Sequence, residues 1–254
     1  MIHAALKRAG HNVHALLSPL PTAAEASSTP APAISPVTTL PRNAPKRRVP
    51  WPEMVALYYN IDALRTSDSP VVLQFVSARP REGTSTVARA FASFAAGEET
   101  SSVLLIDGSC HGALPRPAFG HGPVPSLAEI ARAGERIEAA IEPGRTPDLH
   151  EARLADHANS LLHTNGTAWA GVLEKARQRY RFTVIDSPAV STNPDTVVLA
   201  RACDGVVLVI EAEGTRGPVV QATIETIERF GGKVLGTVLN KRRFYIPRWI
   251  YRRL

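Results

Sequence analysis

Ten consecutive residues, Ser77-Ala78-Arg79-Pro80-Arg81-Glu82-Gly83-Thr84-Ser85-Thr86, have types and spacing suited to holding a phosphate. A run of apolar, β-prone residues, Val71 to Val76, leads into them, and Val87, Phe91 and Phe94 follow at helical spacing. Strand, tight loop, helix is the setting in which a G-x-x-x-x-G-K-[ST] sequence presents backbone N–H groups and a helix N-terminus to an anion. With Gly83 in the second glycine position and Ser85 in the hydroxyl position, Thr84 stands in the lysine position and Ala78 in the first glycine position. Gly83 then permits close approach to a phosphate, Ser85 places a hydroxyl on Mg2+, and Thr86 completes the binding set. Thr84 brings none of the charge that a lysine delivers to the outer phosphates. Arg79 and Arg81 are the cations at hand to replace it, since guanidinium groups bind phosphate well. The plainer reading of the same residues is a strand-loop-helix connection without a ligand.

Two carboxylates stand in comparable places. Asp107 ends the apolar run Val103 to Ile106, and Asp186 ends the run Phe182 to Ile185. In an open α/β sheet, ligands bind beyond the carboxyl ends of the strands. A pair of aspartates there can hold Mg2+ directly or through water. Taken singly, each is also an ordinary aspartate in the turn that follows a strand.

Several elements must position these groups. Met54, Leu57, Tyr58, Ile61 and Leu64 recur at helical spacing and predict an amphipathic helix over 52–65. From Val71 onward, strand and helix signals alternate. Ser126-Leu127-Ala128-Glu129 is a capping box that opens a helix. Trp169, Val172, Leu173, Ala176 and Tyr180 line one face of another helix, and Val206 to Ile210 is a strand. Pro218 starts a helix with Val220, Ile224 and Ile227 inward, Gly231-Gly232 end it, and Val234 to Leu239 is the last strand. Apolar strands separated by helices imply an α/β fold, a mostly parallel sheet flanked by helices on both faces in a single domain. Residues 108–125, rich in Gly, Pro and His, read as a long loop on the ligand side. The eight histidines, His157 and His163 included, lack metal-ligand spacing and read as surface or loop residues. Asn165-Gly166-Thr167 reads as a turn and helix start rather than a glycosylation site.

Composition narrows the partners. The chain has 254 residues, 44% of them apolar, ample for a core. No apolar run approaches the ~20 residues that span a bilayer, and the N-terminal stretch lacks a secretory pattern. Cys110 and Cys203 supply neither a disulfide framework nor a metal motif, which fits a reduced, cytoplasmic setting. The net charge of +6 is uneven: residues 241–254 carry +6 and residues 1–50 carry +5, leaving −5 for the middle. A mildly acidic middle disfavours nucleic acid. The basic ends point to an anionic surface or partner. In the tail, cations alternate with Phe244, Tyr245, Trp249 and Tyr251. Near an anionic membrane each Lys or Arg contributes about 1 kcal/mol, and Trp and Tyr favour the interface. The plainer alternative packs Ile246, Trp249 and Ile250 on the domain. Residues 18–50, rich in Pro, Ala, Ser and Thr, bury too little to order themselves. The expected organisation is a linker over 1–50, a folded unit over 51–240 and a basic-aromatic tail over 241–254.

Residues 51–254 resemble the bacterial tyrosine kinases of capsule and exopolysaccharide synthesis, a branch of the deviant-Walker P-loop ATPases that includes the MinD and ParA relatives. The likeness rests on the loop above, on VLLIDGS with Asp107 as the Walker A′ aspartate, FTVIDSP with Asp186 as the Walker B aspartate, SLAEIARAGERIEAAI as the helix after Walker A′, NPDTVVLARACDGVVLVIEAEGTRGPVV and GGKVLGTVLNKRR. It implies a P-loop NTPase-like fold, ATP or ADP with Mg2+ on Ser85, Asp107 and Asp186, and adenine near Asn240. In an active member it implies catalytic roles for Asp107 and Asp186 and phosphorylation of Tyr245 or Tyr251. It also implies self-association, a membrane-embedded co-polymerase or chain-length protein as partner, and a cytoplasmic place at the inner face of the plasma membrane. The departures bear on activity. Thr84 replaces the lysine, and Ser109 replaces the second aspartate of the Walker A′ motif. Two tail tyrosines replace a cluster, and the first helix keeps Glu53 without the arginines of ring formation. Arg79 falls where the MinD branch has its signature lysine. The expectation is a kinase-like regulatory component impaired in catalysis. An active tyrosine autokinase using Arg79 or Arg81, and a MinD- or ParA-like positioning ATPase, are the alternatives.

Overall fold

The computed structural model describes residues 52–63, 69–98, 102–108, 124–155 and 166–241, with the backbone alone for 166–168. The expected linker over 1–50, most of the loop over 108–125 and the tail from residue 242 lie outside the described residues, and with them Ser109, His157, His163, Tyr245 and Tyr251.

Apolar, β-branched runs make the strands β1 (Val71–Ser77), β2 (Val103–Asp107), β5 (Phe182–Asp186), β6 (Gly205–Glu211) and β7 (Val234–Asn240), and two less apolar ones follow the second strand, β3 (Ile141–Pro143) and β4 (Leu149–Arg153). The helices are α1 (Pro52–Ala63), α2 (Thr84–Ala95), α3 (Leu127–Ala133), α4 (Gly166–Arg177), α5 (Asp195–Ala200) and α6 (Gly217–Arg229), with a 3-10 turn at Ile137–Ala140. One seven-stranded sheet has the order β3-β4-β2-β5-β1-β6-β7. Every pairing is parallel except that of the edge strand β3 with β4. The fold is a P-loop NTPase-like α/β domain.

Strand β1 is covered on both faces, as a central parallel strand must be. Leu73 and Phe75 pack toward α1 and α2, while Val72 and Val76 enter the cores on the opposite face. Phe91 of α2 is fully buried, with the rings of Phe75, Phe182 and Tyr58 at 5.4, 5.9 and 6.2 Å. This aromatic cluster seats α2 on the sheet and so fixes the loop that precedes it. Gln74, fully buried on the other face, donates to Ser187 Oγ and to the Thr196 carbonyl, both at 2.9 Å. Those bonds hold the chain that leaves β5.

Three sequence expectations change. The stretch SLAEIARAGERIEAAI is not one helix: α3 stops at Ala133, because Gly134 caps it in the left-handed conformation at φ 68°. The chain then forms the 3-10 turn and returns as β3. Tyr180 is not on the helical face with Trp169; it lies beyond the end of α4 and is buried among the same residues. His150 is neither a surface nor a loop residue. It sits half-buried in β4 with its ring 5.5 Å from that of Tyr180. The N-terminal helix is described to Ala63, and Leu64 lies outside the described residues.

Phe91→Ala tests the seating of α2. Removing this fully buried ring should destabilise the domain by about 3–5 kcal/mol, read as a lower urea midpoint.

Candidate functional site

The loop between β1 and α2 is shaped by contacts from two other strands. Gly83 adopts φ 97°, and Thr86 and Val87 donate their N–H groups back to its carbonyl at 3.1 Å. No side chain caps α2, so the N–H groups of Thr84 and Ser85, ahead of those two bonds, have no side-chain acceptor. Glu82 is buried and faces inward. Its carboxylate accepts from the N–H of Arg79 at 2.8 Å, from the N–H of Glu211 at 3.3 Å and from the Thr215 hydroxyl. Asn240, the last residue of β7, donates Nδ2 to the Glu82 carbonyl at 2.9 Å, and the Lys241 ammonium donates to the Arg81 carbonyl. Gly83's φ favours glycine, and a Cβ there would also push the Asn240 amide, 2.0 Å away, off the loop.

The carboxylates stand at the same edge. Asp107 of β2 pairs in register with Asp186 of β5, and Asp186 pairs with Phe75 of β1. Paired residues of neighbouring parallel strands point to one face, with their chains about 4.8 Å apart. That face is the one α2 covers, since Leu105 and Val184, two residues earlier in each strand, join its core. Arg89, one turn beyond Ser85 on α2, sends Nη2 to within 3.4 Å of Asp107 Oδ2 and 3.9 Å of Asp186 Oδ2. Neither oxygen of Asp186 has a hydrogen-bond partner, and its side chain is 1% exposed. Burial pushes its carboxyl up to about 6; the Ser85 hydroxyl pulls the other way without meeting full hydrogen-bond geometry, Asp107 adds repulsion, and Arg89 opposes it.

The structure therefore brings Gly83, Thr84, Ser85, Thr86, Asp107 and Asp186 to one end of the sheet. Thr84 is buried in the helix start, while Arg79 and Arg81 are exposed on the loop. Asn240, which the resemblance sets near adenine, is buried at the end of β7 behind the loop. Its amide is spent on the loop and on the N–H of Lys241. Sequence reasoning missed Glu82 and Arg89. Their signals were a lone acid inside the loop and the one charge on an otherwise uncharged helix, four residues after Ser85.

The same residues bear on a metal. The hydroxyl of Ser85 and the two carboxylates are oxygen donors of the kind Mg2+ takes. Arg89 already faces both carboxylates, however, and the arrangement does not fit a divalent ion shared between them. Among the described residues no cluster of three or more His, Cys, Asp or Glu side chains is placed to hold a metal.

No family model matches the chain. The tyrosine-protein kinase CpsD of Streptococcus agalactiae is 25% identical over 174 residues, 67% of this chain and 75% of that protein. The succinoglycan biosynthesis transport protein ExoP of Rhizobium meliloti is 28% identical over 188 residues, 71% of this chain and 23% of that protein. The solved kinase domain of VpsO superposes with a TM-score of 0.62 at 26% identity, covering 75% of this chain and 93% of that domain. The chain is thus similar to bacterial tyrosine kinases and to a transport protein of exopolysaccharide synthesis.

The marked electrostatic feature of the site is the buried Asp186. Its raised pKa means that the folded protein binds a proton that the unfolded chain has already lost. Stability therefore falls as pH rises from the ordinary carboxylate range to about 6 and stays low above it. Asp186→Asn should flatten that fall and stabilise the ligand-free domain near neutral pH by about 1–3 kcal/mol. Urea unfolding of both proteins across this pH range reads the effect, and a steeper fall in the variant would contradict it.

Proposed function

We propose that this chain is a kinase-like regulatory component of capsule or exopolysaccharide biosynthesis, binding a nucleotide in the Gly83–Thr86 loop without rapid turnover. The observation that carries the reading is the loop itself: an uncapped helix start after a left-handed Gly83, with Thr84 buried where a lysine would grip phosphate. Backbone N–H groups and the helix dipole supply binding at such a place. Transfer of a phosphoryl group asks for more, namely cations on the oxygens where charge develops. Thr84 offers none.

The pathway comes from the relatives. One is named a tyrosine-protein kinase and another a transport protein of succinoglycan biosynthesis. This chain matches 23% of the latter, which supports a role beside a larger transport component. The partner in this reading is a membrane-embedded co-polymerase or chain-length protein. The basic-aromatic tail over 241–254 docks the chain on that partner and on the anionic inner face of the plasma membrane. Among the described residues no helix is long and apolar enough to cross a membrane.

Titration of a fluorescent ATP analogue, paired with a hydrolysis assay, tests the reading. Wild type should bind and hydrolyse at background rate. Thr84→Lys should bind about 10- to 100-fold more tightly, the worth of one charge-assisted contact. Rapid hydrolysis by wild type, with phosphate on Tyr245 or Tyr251, would establish the active autokinase instead. Deleting residues 242–254 should shift the protein from the membrane fraction to the supernatant.

A further inference from the structure

Arg89 is the sole charged side chain on α2. One guanidinium nitrogen faces both Asp107 and Asp186, at 3.4 and 3.9 Å. A third carboxylate, Glu151, lies on the neighbouring strand β4 opposite Leu105, half-buried and within reach of the same positive charge. The side chains of Asp107 and Asp186 are 6% and 1% exposed, so water does little to separate their charges. A cation is needed there, and a divalent ion is the usual answer when the ligands are oxygens. The chain supplies a guanidinium instead, which stays charged at any working pH, spreads its donors in a plane and cannot be chelated away.

We propose that Arg89 is a built-in counter-cation that takes the place of a divalent metal at Asp107 and Asp186, closing this site to Mg2+ although its oxygens are of the right type. A nucleoside polyphosphate then enters the loop without depending on a metal, a consequence that rests on the function proposed above. The arrangement explains why a helix otherwise made of small, apolar and hydroxyl residues carries one long cation at its sheet-facing edge.

The test needs no nucleotide. Mn2+ is titrated into the full-length chain and followed by the loss of its free electron-paramagnetic signal, and thermal unfolding is compared in Mg2+ and in EDTA. Wild type should take up no Mn2+ at this site and melt at one temperature in both solutions. Arg89→Met should bind one Mn2+ per chain, at least about tenfold more tightly than wild type because the competing charge is gone, and should melt higher in Mg2+ than in EDTA. Arg89→Lys, which keeps a cation, should behave as wild type does. Combining Arg89→Met with Asp186→Asn should remove the gain. A stoichiometric Mn2+ site in wild type as tight as that of Arg89→Met overturns the proposal, and so does an Arg89→Met protein without a metal response. If Arg89→Met fails to fold, Arg89→Gln, which also removes the charge, takes its place in the same titration with the same expected and overturning results. Failure of an ATP analogue to bind would remove the nucleotide function while leaving these metal readings to stand on their own.

Discussion

Pairing β2 with β5 in register places Asp107 beside Asp186 at the carboxyl edge of the sheet. Parallel strands allow no slack in this: a slip of one residue would turn each aspartate to the other face and break the apolar cores on both sides. The site therefore begins with two like charges held together in a poorly hydrated place. Everything nearby answers that constraint. Asp186 holds its proton to about 6, driven by burial, and Arg89 faces both acids from α2. The aromatic cluster around Phe91 keeps α2 at the distance from which Arg89 can reach them.

A second set of contacts shapes the loop from behind. The Glu82 carboxylate binds the N–H groups of Arg79 and Glu211 and the Thr215 hydroxyl, while Asn240 and Lys241 take up the carbonyls of Glu82 and Arg81. With these carbonyls and the Glu82 carboxylate tied back, the N–H groups of Thr84 and Ser85 are left for an anion. The end of β7 is thus part of the loop's support, and it is also where the basic tail departs. Arg81 and Lys241 both adopt positive φ, at 67° and 58°, which is uncommon for residues with a side chain. Their mutual bond holds two strained positions against each other.

Much of the fold was legible because its signals are local. The capping box of Ser126 and Glu129 forms as its spacing requires, with the Glu129 carboxylate on the N–H of Ser126 at 2.7 Å. The apolar runs of β1, β2, β5, β6 and β7 are unmistakable in the sequence. β3 and β4 were not legible. Ile141-Glu142-Pro143 is three residues with a proline, and Leu149–Arg153 is mostly polar. Both become strands through pairing at the sheet edge, which no local pattern announces. The site divides in the same way. Strand-ending aspartates could be found one at a time, whereas their adjacency depends on strand order. Arg89 could not be assigned at all without the distance across from α2 to β2 and β5. The resemblance placed Asn240 by its position in a motif, while its contacts follow from the tight space above Gly83.

Thr84 and Arg89 together move positive charge within the site. A lysine after Gly83 would stand on the phosphate side, where charge grows during transfer of a phosphoryl group. Arg89 stands on the carboxylate side, held by Asp107 and Asp186, and its charge is largely used in balancing theirs. A guanidinium so engaged cannot follow a migrating phosphoryl group without leaving two buried acids uncompensated, a cost of several kcal/mol. Charge compensation in this arrangement stabilises the resting protein more than a transition state. In the function proposed above, binding without turnover follows from both features: Thr84 leaves the phosphate side without a cation, and Arg89 is engaged by the two acids.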